Sequence, residues 1–256
     1  MCSRNRPFTI LALVAATILG CERDTTPVSP SHLRPAAENV IDNLFPLADP
    51  TGTIATFSTN GSIDPGNPFF QSLGTNGRTC GSCHQASDAF GLSAAHAQAR
   101  FASSGGTDPL FAAIDGANCP NVALGDRAGH SLLINNGLIR IFLTVPANAE
   151  FTIAAAHDPY GCGLVVDPQR AKTVSVYRRP LPTTNLRFLS AVMFDGRETI
   201  NPLNNAGTFA ANLQTDLAHQ ALDATLGHAQ ATTAPTPGQL SAIVDFELAL
   251  FTRAHV

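Results

Sequence analysis

Residues 80–84 read Cys-Gly-Ser-Cys-His. The two thiols stand one helical turn apart, and an imidazole follows the second directly. In this arrangement both sulfurs can add across the vinyl groups of a haem, and the histidine can reach the iron from one face. The motif predicts one covalent haem c, anchored by Cys80 and Cys83 and ligated by His84. Three other chemistries use paired cysteines. A thioredoxin-like CxxC follows a strand in a βαβ unit, but Cys80 follows the polar stretch 74–79. A structural zinc ion needs four ligands, and no second CxxC and no HxxxH accompanies the first. A disulfide between Cys80 and Cys83 would make no use of His84.

The sixth iron ligand decides potential and reactivity, because thioether ligation raises the potential and an open position admits small ligands. Beyond Met1 the chain has one methionine, Met193, so His/Met ligation within this chain requires it. Met193 as core packing is the plainer alternative. The rival ligands are His130, on an expected short helix, His228, at the end of a long helical run, and His96, in an Ala-rich helix. His228 and His130 are also the expected acid/base groups if the haem site handles peroxide, since such a group needs reach as well as a suitable pKa.

Several elements have to position these residues. Ser93 is an expected N-cap for an Ala-rich helix. Residues 50–80 are rich in Gly, Asn, Thr and Pro and read as loop, a helical turn at Phe69-Phe70, then loop into the CxxC. The runs 138–145 (LIRIFLTV), 151–153 and 173–177 (TVSVY) are β-branched and apolar and read as strands, a β-rich insertion at about 137–178. From 208 to about 230 breakers are few. Thr236 and Pro237 open a last helix, with an apolar run expected to stay helical over 243–251.

The N-terminus bears on the compartment. Arg4 and Arg6 precede the apolar run 8–20 (FTILALVAATILG), which is shorter than the ~20 residues a bilayer span takes. This is the build of an export signal, residues 1–20. Ile18-Leu19-Gly20-Cys21 resembles the lipobox of bacterial lipoproteins, which implies a lipid on Cys21 and attachment to a membrane surface in the periplasm. Residues 21–49, Pro-rich and polar over 22–35, read as a tether. Loss of Arg4 and Arg6 with the signal moves the formal net charge from −4 to −6, which gives no reason to expect nucleic acid as a partner. Of the six cysteines, Cys119 and Cys162 remain once Cys2, Cys21, Cys80 and Cys83 are assigned. An exported compartment permits a disulfide between them.

Residues 73–85 (LGTNGRTCGSCHQ), preceded by Phe69-Phe70, resemble the first haem-binding segment of bacterial di-haem cytochrome c peroxidases and MauG-like proteins. Residues 178–199 (RRPLPTTNLRFLSAVMFDGRET) resemble the family's stretch that leads into a Phe-Trp-Asp-Gly-Arg motif, and 213–230 are similar to its next helix. The resemblance touches about 65–90 and 178–252. It implies a mainly α, cytochrome c-like haem domain over 50–256, carrying the small β-rich insertion. It also implies periplasmic electron transfer to a redox partner protein or a second haem domain. Arg197, among the neighbours Lys172, Arg178 and Arg179, is the expected partner of a haem propionate.

The chain departs from this family in three places. Phe194 stands where the family has tryptophan, and the chain has no tryptophan. No carboxylate occurs in the segment around His228 where the family's catalytic glutamate lies. One CxxCH is present where the family has two. These departures weigh against peroxidase activity and leave haem binding untouched. The expected function is electron transfer. The alternatives are a hydrogen peroxide-reducing peroxidase and a non-catalytic, haem-containing lipoprotein that binds a partner.

Overall fold

The computed structural model describes residues 40–49, 52–163, 173–199 and 206–255. The chain enters through β1 (Ile41–Asp42) and β2 (Leu47–Asp49), followed by β3 (Gly52–Ser58) and β4 (Ser62–Ile63). Thr53, Ile54, Thr56 and Phe57 give β3 the composition of a half-buried strand. A last strand, β7 (Leu250–His255), pairs antiparallel with β3, with Phe57 opposite Phe251 and Ser58 opposite Leu250. The sheet order is β2-β3-β7, and β1 pairs with β4 in a separate ladder. The two ends of the described chain are thus hydrogen-bonded to each other.

Five helices lie between these strands: α1 (Cys80–Cys83), α2 (Ala94–Ser104), α3 (Ser131–Asn136), α4 (Ala206–Gly227) and α5 (Pro237–Leu248). Local chemistry sets their ends. The Ser93 hydroxyl accepts the His96 amide at the start of α2, satisfying one of the free N–H groups of a first turn. Thr236 and Gln239 form a reciprocal capping box at the start of α5, with Pro237 in its first turn. β5 (Ile139–Thr144) and β6 (Thr173–Arg178) form an antiparallel pair, Ile139 opposite Arg178.

Three buried apolar clusters form the core among the described residues, and two of them pack against α1. The first gathers Phe101, Phe111, Leu133 and Ile134, with Cys83 against it. The second gathers Phe69, Phe90, Ile243 and Phe246, with Cys80 against it. The third gathers Leu186, Leu213, Leu217 and Leu248, with Met193 against it. Each fully buried Leu, Ile or Phe stabilises by roughly 1.5–3 kcal/mol, so the clusters hold the CxxC helix from both sides.

The mainly α expectation does not hold. Helix accounts for 34% and strand for 17%, the strands lying in three small sheets. The stretch 52–58, read as loop among Gly and Asn, is β3. The apolar run over 243–251 leaves the helix at Leu248 and continues as β7. There Leu250 is buried, and its backbone finds β3 across some two hundred residues of sequence, a pairing that local periodicity does not encode. Residues 40–49, the end of the expected tether, contain β1 and β2, whereas 151–153 form no strand. The export signal, Cys21, the tether before residue 40 and Lys172 lie outside the described residues.

Candidate functional site

The CxxCH segment is built by its own residues and by a few long reaches. Thr79 precedes α1, and its amide donates to the Ser82 hydroxyl at 3.0 Å. Four residues make only one turn, so the carbonyls of α1 need outside donors. Gln85 Nε2 donates to the Gly81 and Ser82 carbonyls. Arg100 from α2 also donates to the Ser82 carbonyl, while its other nitrogens hold Asp108 at 2.6 to 2.9 Å. Gly81, the first of the two residues between the cysteines, is constrained as well. A Cβ on Gly81 would stand 2.8 Å from the Phe70 ring.

A cavity opens where the three clusters meet, and Cys80, Cys83, His84, Met193, His228 and Glu247 all contribute to its wall. The His84 Nδ1 pairs with the Phe90 carbonyl at 2.7 Å. A carbonyl on Nδ1 favours the proton there and leaves the Nε2 lone pair as the one that could ligate a metal. Burial holds the His84 imidazole below the ordinary histidine range, opposed by the Phe90 carbonyl and, more weakly, by that of Leu181.

His228 is fixed in a comparable way from 144 residues further along. The loop before the CxxC is stitched to the end of α4. Thr75 donates to the carbonyls of Ala229 at 3.0 Å and Gln230 at 2.8 Å, and Asn76 donates to the His228 carbonyl at 2.8 Å. The approach is so close that a Cβ on Gly74 would lie 1.9 Å from the Ala229 carbonyl oxygen. Below this seam the buried Asp115 carboxylate bridges two side chains. One oxygen pairs with the Arg78 guanidinium, and the other accepts His228 Nδ1 at 2.5 Å. Arg78 also donates to the carbonyls of Pro109 and Leu110, each at 2.8 Å, of Ala112 at 3.2 Å and of His228 at 3.3 Å. Burial pushes the Asp115 carboxyl up, but the His228 hydrogen bond and the Arg78 charge outweigh it and hold it below the usual aspartate range.

Two free thiols, one imidazole with Nδ1 engaged, an apolar wall and basic Arg178 and Arg179 at its edge make a donor set that fits a covalently attached haem. Burial, with the Glu247 charge second, pushes the Cys80 thiol up to about 12. Burial also pushes Cys83 to about 11, partly offset by the charge of Arg78. Unattached, both are protonated and poorly nucleophilic at neutral pH.

Other expected site residues fall elsewhere. His130 is fully buried in the first cluster, its ring nitrogens 2.7 Å from the Asp126 carbonyl and 2.9 Å from that of Phe111. His96 pairs with Asp88 at 2.7 Å. Neither is in the cavity wall. Arg197 is taken up by Asp195 and Glu198, each at 3.2 Å, and it is Arg178 and Arg179 that line the cavity. Phe194 is 96% exposed. Met193 has φ +66°, a left-handed backbone uncommon outside glycine, at the cavity wall. Cys119 and Cys162 form a disulfide with Cα atoms 5.3 Å apart. Buried Arg140 donates to the Asn118 carbonyl beside it at 2.6 Å.

Sequence reasoning missed two residues. Asp115 sits in an unremarkable loop, and Glu247 sits in the apolar α5, where a lone acid among Phe, Leu and Val was the available signal. A separate group, Glu198, His219 and Asp223, brings ligand atoms within 4.8 Å of one another. The Glu198 carboxylate there is already engaged by Arg197 and His219. Among the described residues no helix is long and apolar enough to cross a membrane. No family model, curated protein or solved structure matches this chain.

Proposed function

We propose that this chain is a c-type haem protein of electron transfer, exported and held at a membrane surface through a lipid on Cys21. The observation that carries the reading is the meeting of Cys80, Cys83 and His84 in the wall of one apolar cavity, with His84 Nδ1 bound to the Phe90 carbonyl. Cys80 and Cys83 would anchor the group, and His84 and Met193 would ligate it. A bound haem would exchange single electrons, while the protein sets ligation, burial and orientation. Arg178 and Arg179 would meet its propionates by charge-assisted hydrogen bonds. The segments 65–90 and 178–252 support a relationship to the di-haem peroxidase and MauG-like proteins, with a redox partner or a second haem domain as the exchanging group.

Left-handed Met193, held in a turn closed by the Gly196 amide on the Met193 carbonyl at 3.1 Å, supports its role as a ligand. Substitution tests this. The oxidised holoprotein is expected to show the far-red band of thioether–iron ligation, and Met193→Ala is expected to abolish it and lower the potential. An unchanged spectrum in Met193→Ala would remove Met193 from the site.

One observation favours a second reading, a peroxide reductase. His228 lies in the same wall with its Nδ1 on a buried carboxylate, the arrangement that orients an imidazole for acid/base work at Nε2. Turnover of hydrogen peroxide with a one-electron donor, lost in His228→Ala, distinguishes this reading from electron transfer alone.

A further inference from the structure

We propose that Glu247 is a proton-binding site coupled to the haem, so that this protein moves a proton with its electron; the inference rests on haem binding as proposed above. Glu247 lies on α5, is 4% exposed and contributes to the cavity wall. Its Oε2 has no hydrogen-bond partner. A buried charged carboxylate without partners is costly, so a structure that keeps one either neutralises it or gives it a function.

Burial alone raises the Glu247 carboxyl from 4.5 to about 8. Its charge is felt at the Cys80 sulfur, the expected attachment point of the porphyrin edge. The titratable and charged groups on and beside the elements around α5 are Cys80 on α1, Asp216, His219 and Asp223 on α4, His228 directly after α4, and Arg187, which donates to the Leu248 carbonyl at 2.8 Å. Once Cys80 is a thioether it no longer titrates, and Glu247 is left as the carboxyl beside that edge.

The coupling has a definite sign. Ferric haem carries one more positive charge than ferrous haem and favours the carboxylate. On reduction Glu247 takes one proton from solvent as the iron takes one electron from the donor, and on oxidation both leave. The midpoint potential therefore falls as pH rises through the window around 8. The limit is a tenfold change in the reduction equilibrium per pH unit, equal to about 59 mV for one electron.

The experiment is a spectroelectrochemical titration of the full, haem-loaded chain on both sides of this window. Wild type is expected to show the slope, Glu247→Gln to be flat and Glu247→Asp to retain a slope. A flat wild type, or Glu247→Gln with the wild-type slope, overturns the proposal. Should Glu247→Gln fail to fold, the reduced-minus-oxidised infrared spectrum of wild type decides. A protonated-carboxyl band that grows on reduction and shifts in D2O is expected, and its absence overturns the proposal. A colourless protein would instead overturn haem binding itself, so the two failures are distinguishable.

Discussion

Replacing Asp115 with alanine is expected to destabilise the protein by about 3–5 kcal/mol, the usual cost of removing one partner of a buried ion pair and leaving the other uncompensated. Arg78 is the partner left behind, 2% exposed and with its guanidinium held only by four backbone carbonyls. The same substitution frees His228 Nδ1, so the imidazole loses its orientation at the cavity wall. Urea unfolding at neutral pH measures the loss. The pH dependence follows from the depressed carboxyl. The contribution is fully present above the ordinary aspartate value of 3.8 and disappears as pH falls through the lower folded value. A cost below about 1 kcal/mol, the scale of an exposed pair, would show that Arg78 and Asp115 are solvated rather than buried.

Removing the Cys119–Cys162 bridge is expected to cost a comparable amount. The cysteines are 43 positions apart, and the loop-closure entropy released into the unfolded chain corresponds to about 4 kcal/mol. The enclosed segment carries α3, β5 and the fully buried His130. The loss should therefore spread from the first apolar cluster rather than stay at the surface. Thermal unfolding of Cys119→Ser with Cys162→Ser, compared with wild type under oxidising conditions, reads it. Equal midpoints, or free thiols at both positions in the unreduced wild type, would contradict the bridge.

The parts of this molecule legible in its sequence are those whose physics is local. CxxCH needs five neighbouring residues. The Ser93 and Thr236 caps need three or four, and the strand character of 139–144 is present in its Ile, Phe and Leu. Less legible are the features assembled from distant segments. β3 carried strand-forming residues but was masked by its Gly- and Asn-rich surroundings. β7 looked like the tail of a helix because an apolar run fits either state until its partner is known. Arg78, Asp115 and His228 come from three separate stretches and carry no shared motif. Arg197 was favoured over Arg178 and Arg179 by its place in a family-like motif, yet its neighbours Asp195 and Glu198 satisfy it locally. The segment around His228 carries no carboxylate, whereas the fold brings two acids to that region, Asp115 onto the His228 ring and Glu247 into the same wall.

Iron porphyrin bound through residues 80–84 underlies every role proposed above. The most direct measurement is the intact mass and visible spectrum of the full chain, expressed with a working export and haem-attachment system. One porphyrin's added mass that survives denaturation, a strong Soret band, and loss of both in Cys80→Ala with Cys83→Ala are the predicted results. A colourless wild-type protein with the mass of the bare polypeptide would contradict the account.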